Sequence, residues 1–562
     1  MKRRKMWKQF AAVLAAGSVL LTACGSQATT GSTEGGAQTQ QADAGEENKS
    51  SDEKTVLTIA MKQESNIIDF DTNYLTKRLE EEFNVDLQQV VLPADDKEFM
   101  QKLSLMVSSG EKLPDIFCTG SVIKVDDASL YGQNGAFIPL NKYLEDEAMS
   151  PVMHQNIPAE DLEYMLSSVT SADGNIYGVP IYGAEIGNEC AYRAWINTTW
   201  LDALGLKMPT TTEEFYNTLK AFKEQDPNGN GIQDEIPMMG SSNGWNQNPI
   251  PFLMNAFVYT DPGKNYVYVE DRKIVPAFTK EEWKEGLIYI NSLVSEGLIS
   301  PLSFTQDVTQ FKTILENEDA QLMGCIAAAS VSVYAPDSKR VTDMDVLPPL
   351  TGPEGKCFAQ YGPTVPAPQY FITKDCENPD LAFQIADYMF DKEMSMVQRF
   401  GEPGVDWDTN VGDLKSPYEE SMGVKTGFRE IENIWGVPQN SHWEGANPTY
   451  RGGLDPMSAQ GKGIDMETAT GMSIMTPKAV PYYLDKHPEE LITRYAFTEE
   501  ELNDLATLRT DVDTYVKESM TRFAVGEMPI TEWDNYIATL NSMGLDRYLE
   551  ILQSGYDRAC GK

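Results

Sequence analysis

Between Asp226 and Glu235 the chain reads Asp-Pro-Asn-Gly-Asn-Gly-Ile-Gln-Asp-Glu. Oxygen-bearing side chains fall at positions 1, 3, 5 and 9 of that run, Gly231 at 6 and the carbonyl of Ile232 at 7. This is the spacing of an EF-hand loop, and its chemistry is calcium: Ca²⁺ takes six to eight oxygens at about 2.3–2.6 Å, and alternation in a tight turn converges them on one point. Pro237 stands at position 12, where a Glu closes the usual loop, so Glu235 at position 10 is the carboxylate available instead. Asp226, Asn228, Asn230, Ile232, Asp234 and Glu235 make up the candidate metal set. Its expected role is structural, because consecutive residues supply every ligand and leave little room for a substrate. No other metal or nucleophile pattern stands out. His154, His442 and His487 are far apart in sequence. Cys118, Cys190, Cys325, Cys357, Cys376 and Cys560 are scattered without a C-x-x-C, which suggests neither a zinc ribbon nor a disulfide framework.

The elements that hold this loop can be read on either side of it. Thr210 with Glu213, or Thr211 with Glu214, makes a capping box, opening a helix with Phe215, Leu219 and Phe222 on one face. Ile236 to Met239 leaves the loop as a strand, followed by a polar turn, Gly240 to Asn243, then Gly244 and Trp245. Nearer the start, Thr55–Ala60, Val85–Leu92 and Pro114–Phe117 read as strands, with helical patterns at Leu75, Leu79, Phe83 and at Phe99, Leu103, Met106 between them. Strand, helix, strand, helix, strand predicts a parallel sheet with right-handed crossovers. Ligands of such sheets gather at the carboxyl ends of the strands. That selects Gln63 and Glu64 after the first strand, and Thr119 and Ser121 after the third. Residues 408–490 are loop-rich, and the chain closes on periodic helices.

Residues 1–23 read as a signal peptide, with Lys2, Arg3, Arg4, Lys5 and Lys8 ahead of an uncharged apolar run from Phe10 to Leu21. That run is too short to span a bilayer, which takes roughly 20 residues. Leu21-Thr22-Ala23-Cys24 resembles the lipobox of bacterial lipoproteins. The resemblance implies a lipid on Cys24 and a place on the outer face of the cytoplasmic membrane, held there by the anchor alone. Residues 24–54, poor in large aliphatic side chains, predict a flexible leash. The chain of 562 residues carries 45 − 85 = −40 charges, and without the five basic residues of the signal 40 − 85 = −45. A surface of that charge repels phosphate backbones and acidic headgroups, which argues against nucleic-acid partners.

Several blocks together resemble extracellular solute-binding proteins of family 1, the lipoprotein components of carbohydrate ABC importers. They are Ser109–Asp115, Asp173–Pro180, Trp195–Glu235, Ser295–Leu298, Gly404–Trp407 and Trp533–Arg558. The large subgroup that includes the alginate-oligosaccharide-binding proteins is the nearest match. The resemblance implies an α/β, two-lobe, hinged fold with mostly parallel sheets and extra C-terminal helices. It divides the mature body into residues 55–180 (first lobe), 181–365 (mainly the second) and 366–562 (a return segment and helices completing both). It implies an oligosaccharide held in the inter-lobe cleft, two permease subunits and their ATPase as partners, a monomer, no catalysis, and the calcium set named above. Alginate itself does not transfer, since uronates need cationic partners and no basic cluster is visible. Sugars ask for aromatic rings under their apolar faces and polar groups at their edges. Trp245 and Trp407 are the first candidate platforms and Trp435 and Trp443 the next, with Ser241 in the turn before Trp245. Glu185 and Arg193, near the crossover, would meet hydroxyls or form a hinge salt bridge. Trp200 and Trp533 belong to helical patterns and are expected in the core. Two other functions use the same features: the scaffold with a peptide or other solute, and a surface glycoside hydrolase. The latter needs two carboxylates about 5–10 Å apart, a pair that composition alone does not single out.

Overall fold

The computed structural model describes residues 54–560, apart from 172, 184–185, 433, 435–436, 455–456, 461–466, 469–471 and 473–474. Cys24 with the signal and leash, Glu185 and Trp435 therefore lie outside the described residues.

The alternation at the start of the body is present as expected. Strands β1 (Thr55–Lys62), β2 (Val85–Leu92) and β3 (Ile116–Cys118) run parallel, with helices Tyr74–Phe83 and Asp96–Ser109 between them. Each helix starts where a side chain satisfies free N–H groups: Leu75 N–H donates to Asn73 at 3.1 Å, and those of Lys97 and Glu98 donate to Asp95 at 3.0 Å. Asn84 (φ +50°) and Gly110 (φ +72°) end them in the left-handed region. Leu75 and Leu79 pack with Leu57 and Ile59 on one face of the sheet, and Phe99 and Leu103 with Ala60 and Phe117 on the other. A parallel sheet covered on both faces demands that pattern.

After β4 (Val179–Ile181) come β5 (Ala194–Asn197), β6 (Ile236–Met239), the hairpin β7 (Val267–Glu270) and β8 (Lys273–Pro276), β9 (Met323–Ala327) and β10 (Met344–Leu347). The chain then returns as β11 (Ala367–Ile372). Two main sheets result, β2-β1-β3-β11-β4 and β10-β5-β9-β6. In the first only β11 opposes its neighbours, and in the second only β5 does. Both exceptions have one cause. β4 ends at the carboxyl edge of the first sheet, so the chain enters the second from the edge facing the crossover, and β5 must run backwards. β11 enters the first sheet from that side on the return. The carboxyl edges of both sheets therefore flank the crossovers, and that is where a ligand between lobes would lie.

Each sheet has its own core. Tyr370, Phe383, Met389 and Trp443 join that of the first, and Trp195, Trp200, Phe222 and Trp283 form that of the second. The C-terminal helices Glu499–Ala524, Trp533–Ser542 and Leu545–Ala559 complete the second core through Val512, Trp533, Tyr536 and Tyr548. Trp200 and Trp533 are buried there, as their helical settings predicted. Each such side chain contributes about 1.5–3 kcal/mol by leaving water. A small sheet, β12 (Trp407–Asp408), β13 (Phe428–Glu430) and β14 (Ser458–Gln460), packs on Met396 and Phe400 of helix Lys392–Phe400.

The first two of the three passages between the cores are joined by one buried carboxylate. Glu189, on the outward crossing, accepts Thr364 N–H at 2.7 Å and Tyr361 Oη–H at 3.0 Å from the return crossing, while its carbonyl accepts Gly362 N–H at 2.7 Å. Glu189→Ala would leave a half-buried main-chain N–H and a half-buried phenol without their acceptor. A loss of about 1–2 kcal/mol is expected in urea unfolding, with Glu189→Gln retaining part of it.

Candidate functional site

Gln63 is exposed and Glu64 half-buried just past β1, and burial pushes the Glu64 carboxyl up against a smaller lowering by Lys62. Thr119 and Ser121 follow β3; Thr119 is buried and Ser121 sits at φ +60°. A left-handed serine costs energy unless something holds it. Gln369 of β11 is what holds it: its Oε1 accepts Ser121 N–H at 2.5 Å and Oγ–H at 3.2 Å, while its Nε2 donates to Gly445 O at 2.6 Å. The β3 loop is thus tied to a segment the sequence left as undifferentiated loop, residues 442–451. That segment runs along the same edge. Tyr182 N–H donates to Thr449 O at 2.8 Å, and Arg451 N–H to Tyr182 O at 2.9 Å. A Cβ on Gly183 would stand 2.6 Å from Arg451 Nε, so the guanidinium packs directly over this glycine. Glu444, at φ +48°, is a second left-handed residue of this edge.

Two tryptophan platforms expected on this side are packed instead. Trp443 is 0 % exposed, donates Nε1–H to Thr76 Oγ1 at 2.9 Å and stacks on Phe70 at 5.3 Å. Trp407 is 6 % exposed, donates to Gly401 O at 2.8 Å and meets Phe428 edge-on. Both indoles are consumed by fixing loops. Next to Trp407, Asp406 accepts Ser441 Oγ–H and Glu402 N–H, each at 2.7 Å.

On the second sheet, the turn after β6 carries Ser241 and Trp245. Ser241 is buried, donates to Gln247 Oε1 at 2.5 Å and accepts Gly244 N–H at 3.1 Å, so its hydroxyl shapes the turn. Trp245 is 55 % exposed, and its carbonyl accepts Ala329 N–H at 3.2 Å, anchoring the turn to the end of β9. Arg193 corrects another expectation. It is 1 % exposed and makes neither a hinge salt bridge nor an open contact; its guanidinium donates to Ala329 O at 2.8 Å, to Gly187 O and to Cys190 Sγ at 3.5 Å. The structure therefore brings Ser241, Trp245 and Arg193 to one sheet edge and Gln63, Glu64, Thr119 and Ser121 to the other. Trp245 alone of the described tryptophan candidates offers a ring.

The acidic loop lies at the opposite end of the second sheet, between helix Thr212–Glu224 and β6. Asp226 accepts Asn230 N–H at 3.1 Å and Gly231 N–H at 2.9 Å, and Asn230 Oδ1 accepts Ile232 N–H at 2.7 Å. Asp234 is approached by the amides of Asn228 and Asn230 at 3.0–3.2 Å. Glu235 is the exception: both carboxylate oxygens are buried without a partner, and burial, then Asp234 and Asp226, push its pKa up. A buried carboxylate with no donor on either oxygen, raised first by burial and then by Asp234 and Asp226, fits a cation. Among the described residues no three acids, histidines or cysteines converge, so amide and carbonyl oxygens must complete the set, as calcium chemistry allows. Ile236 N–H donates to Leu322 O at 2.8 Å, so an ion here would brace the starts of β6 and β9.

Two α/β sheets with facing carboxyl edges, joined by crossovers, define a two-lobe binding protein. Residues 67–396, more than half the chain, match the family model described as bacterial extracellular solute-binding protein, and the chain belongs to that family. The fructooligosaccharide ABC transporter substrate-binding protein FusA of Streptococcus pneumoniae serotype 4 is 28 % identical over 572 residues, covering 99 % of this chain and 98 % of FusA. The structure of S. pneumoniae FusA with kestose matches at TM-score 0.68 and 23 % identity, covering 90 % and 99 % of the two chains. An extracellular solute-binding protein from Bifidobacterium longum subsp. infantis matches at 0.73 and 20 %, covering 91 % and 99 %. The alginate-binding protein AlgQ2, solved without calcium ion, matches at 0.61 and 22 %, covering 90 % and 99 %.

His442 supplies a pH test of this edge. It is fully enclosed, and burial, with Arg399 and Arg451 adding to it, pushes its pKa down to about 3. A histidine depressed in the fold contributes stability above its unfolded pKa and loses it as pH falls toward the folded value. Unfolding should therefore take up about one proton from this residue between pH 6.5 and 4, a slope that His442→Gln removes in urea melts across pH.

Proposed function

We propose that the chain is the substrate-binding lipoprotein of an ABC importer, capturing an oligosaccharide between the two sheet edges by hinge closure and delivering it to a permease pair and its ATPase. The observation that carries the reading is Trp245: an open indole in a polar turn at a carboxyl edge, the platform a pyranose or furanose face needs. Gln63, Glu64 and Ser121 are the opposing contacts, and Thr119, Ser241 and Arg193 shape the walls. FusA, named for fructooligosaccharide and solved with kestose, supports the ligand class. The lobe limits 55–180, 181–365 and 366–562 belong to the same proposal. So does the anchor at Cys24 on the outer membrane face, which the lipoprotein name of the relative LipO from Bacillus subtilis supports. No catalytic role is assigned. Ligand contacts to both lobes shift the hinge equilibrium, which is how binding would be signalled.

A thermal-shift screen of the protein truncated to Cys24, against neutral and acidic oligosaccharides including kestose, tests this. A sugar at 100 times its Kd adds about 2.7 kcal/mol. No shift with any sugar, with a shift from a peptide pool, transfers the fold to another solute; release of free sugar on incubation would make it a hydrolase.

Calcium at Asp226, Asn228, Asn230, Ile232, Asp234 and Glu235 is the second part of the proposal. A solved EF-hand mutant of FusA and the calcium-free AlgQ2 structure support it. Chelation should lower the melting temperature of the wild type, and Glu235→Gln should lower it without chelator and blunt the further effect. Because the loop lies at the far end of the sheet from Trp245, sugar affinity should change little in either case.

A further inference from the structure

A cavity of 790 Å³ opens behind Trp245, within the range of about 300–1,000 Å³ usual for small-molecule pockets. One wall is the turn Ser242–Asn248, a second is Tyr192 and Tyr266, and the third is the long helix Glu499–Ala524 through Lys517, Met520 and Thr521. In a chain with 85 acidic residues, no carboxylate lines it. The cavity of 960 Å³ beside β7 and β8 is ringed by contrast with Glu270, Asp271, Glu282, Glu489 and Glu490. The polar groups here are mostly amides and phenols, donors and acceptors at once, as sugar hydroxyls require. Asn246 is held at φ +52°, and its side-chain amide makes no hydrogen bond to a described residue; nor do the hydroxyls of Tyr192 and Tyr266.

Trp245 lines this cavity, and its carbonyl is tied just past the end of β9 at the carboxyl edge of the second sheet. Trp245 is therefore a residue shared by the carboxyl edge of the second sheet and the cavity. We infer that the cavity is a neutral-sugar subsite which takes the end of an oligosaccharide leaving the cleft past Trp245, and that the protein selects ligands by chain length through it. This rests on the proposed oligosaccharide function. A chain too short to pass the indole is held by the cleft alone. One more unit gains the amide of Asn246 and the face between the tyrosines and the long helix.

The test is a calorimetric ladder with the Cys24-truncated protein and fructo-, malto- and galacto-oligosaccharides of two to six units. For the bound class, affinity should rise by about tenfold at one added unit. Thr521→Trp, which fills the cavity from the helix, and Asn246→Gly, which keeps the left-handed backbone and removes the amide, should both erase that step. Affinities for shorter chains should stay within about twofold, and unchanged melting temperatures would show the variants folded. A step that survives both variants, or no length dependence in the wild type, overturns the subsite and leaves the importer reading standing. A wild type that binds no oligosaccharide of any length overturns both, and is seen before any variant is made.

Discussion

The chain passes between the lobes three times, since Trp443 belongs to the first core and Met475 to the second, and Glu189 is where the first two passages are bound to each other. Its carboxylate is shared between Thr364 N–H and Tyr361 Oη–H, with Gly362 N–H on its own carbonyl. Tyr361 is in turn stacked on His487 at 4.3 Å. A charge-assisted acceptor removed from water is stronger than a neutral one and strict about direction. Pinning the first two passages to each other removes their freedom to shift independently. The antiparallel entries of β5 and β11 follow from the same crossings, and with them the facing of the two carboxyl edges.

The tryptophans show what composition cannot decide. Trp407, Trp443 and Trp245 each follow a strand or a loop, and nothing in the residue type separates them. What differs is the neighbourhood. Phe70 and Thr76 cover Trp443, and Phe428 and the Gly401 carbonyl fix Trp407. Of the partners of Trp443, Thr76 lies 367 residues away and Phe70 is farther still. Trp245 sits in a turn whose own polar groups are satisfied by Ser241 and Gln247, so its ring is not needed to hold the fold and stays available.

The legible parts of the sequence were those governed by local rules. The strands of the first lobe, the caps at Thr211 and the acidic run ending in Glu235 all depend on residues within a few positions of each other, and the capping box at Thr211 is present with Glu214. The backward direction of β5 and β11 was not legible, because it is set by where the chain arrives and not by what it contains. Nor was the edge formed by residues 442–451, whose position depends on Gln369 bridging Ser121 and Gly445. Arg193 reads as a charged residue near a crossover, yet its burial against Ala329 and Gly187 carbonyls makes it a main-chain clamp.

The net charge bears on how such a site must work. At −40 for the full chain, long-range attraction is available only to cations. A neutral sugar is steered by nothing until it is in contact, so recognition has to come from short-range surface: stacking on an open ring and hydroxyls meeting fixed amides. Each such contact is modest, about 0.5–1.5 kcal/mol for a net hydrogen bond. Useful affinity then requires several contacts made at once and held without reorganisation. That favours contacts distributed over two rigid edges, with Trp245 at the rim of the second, over a single deep pocket in either lobe. The acidic loop 226–235 stands at one end of the second sheet and the amide-lined, carboxylate-free surface at the other.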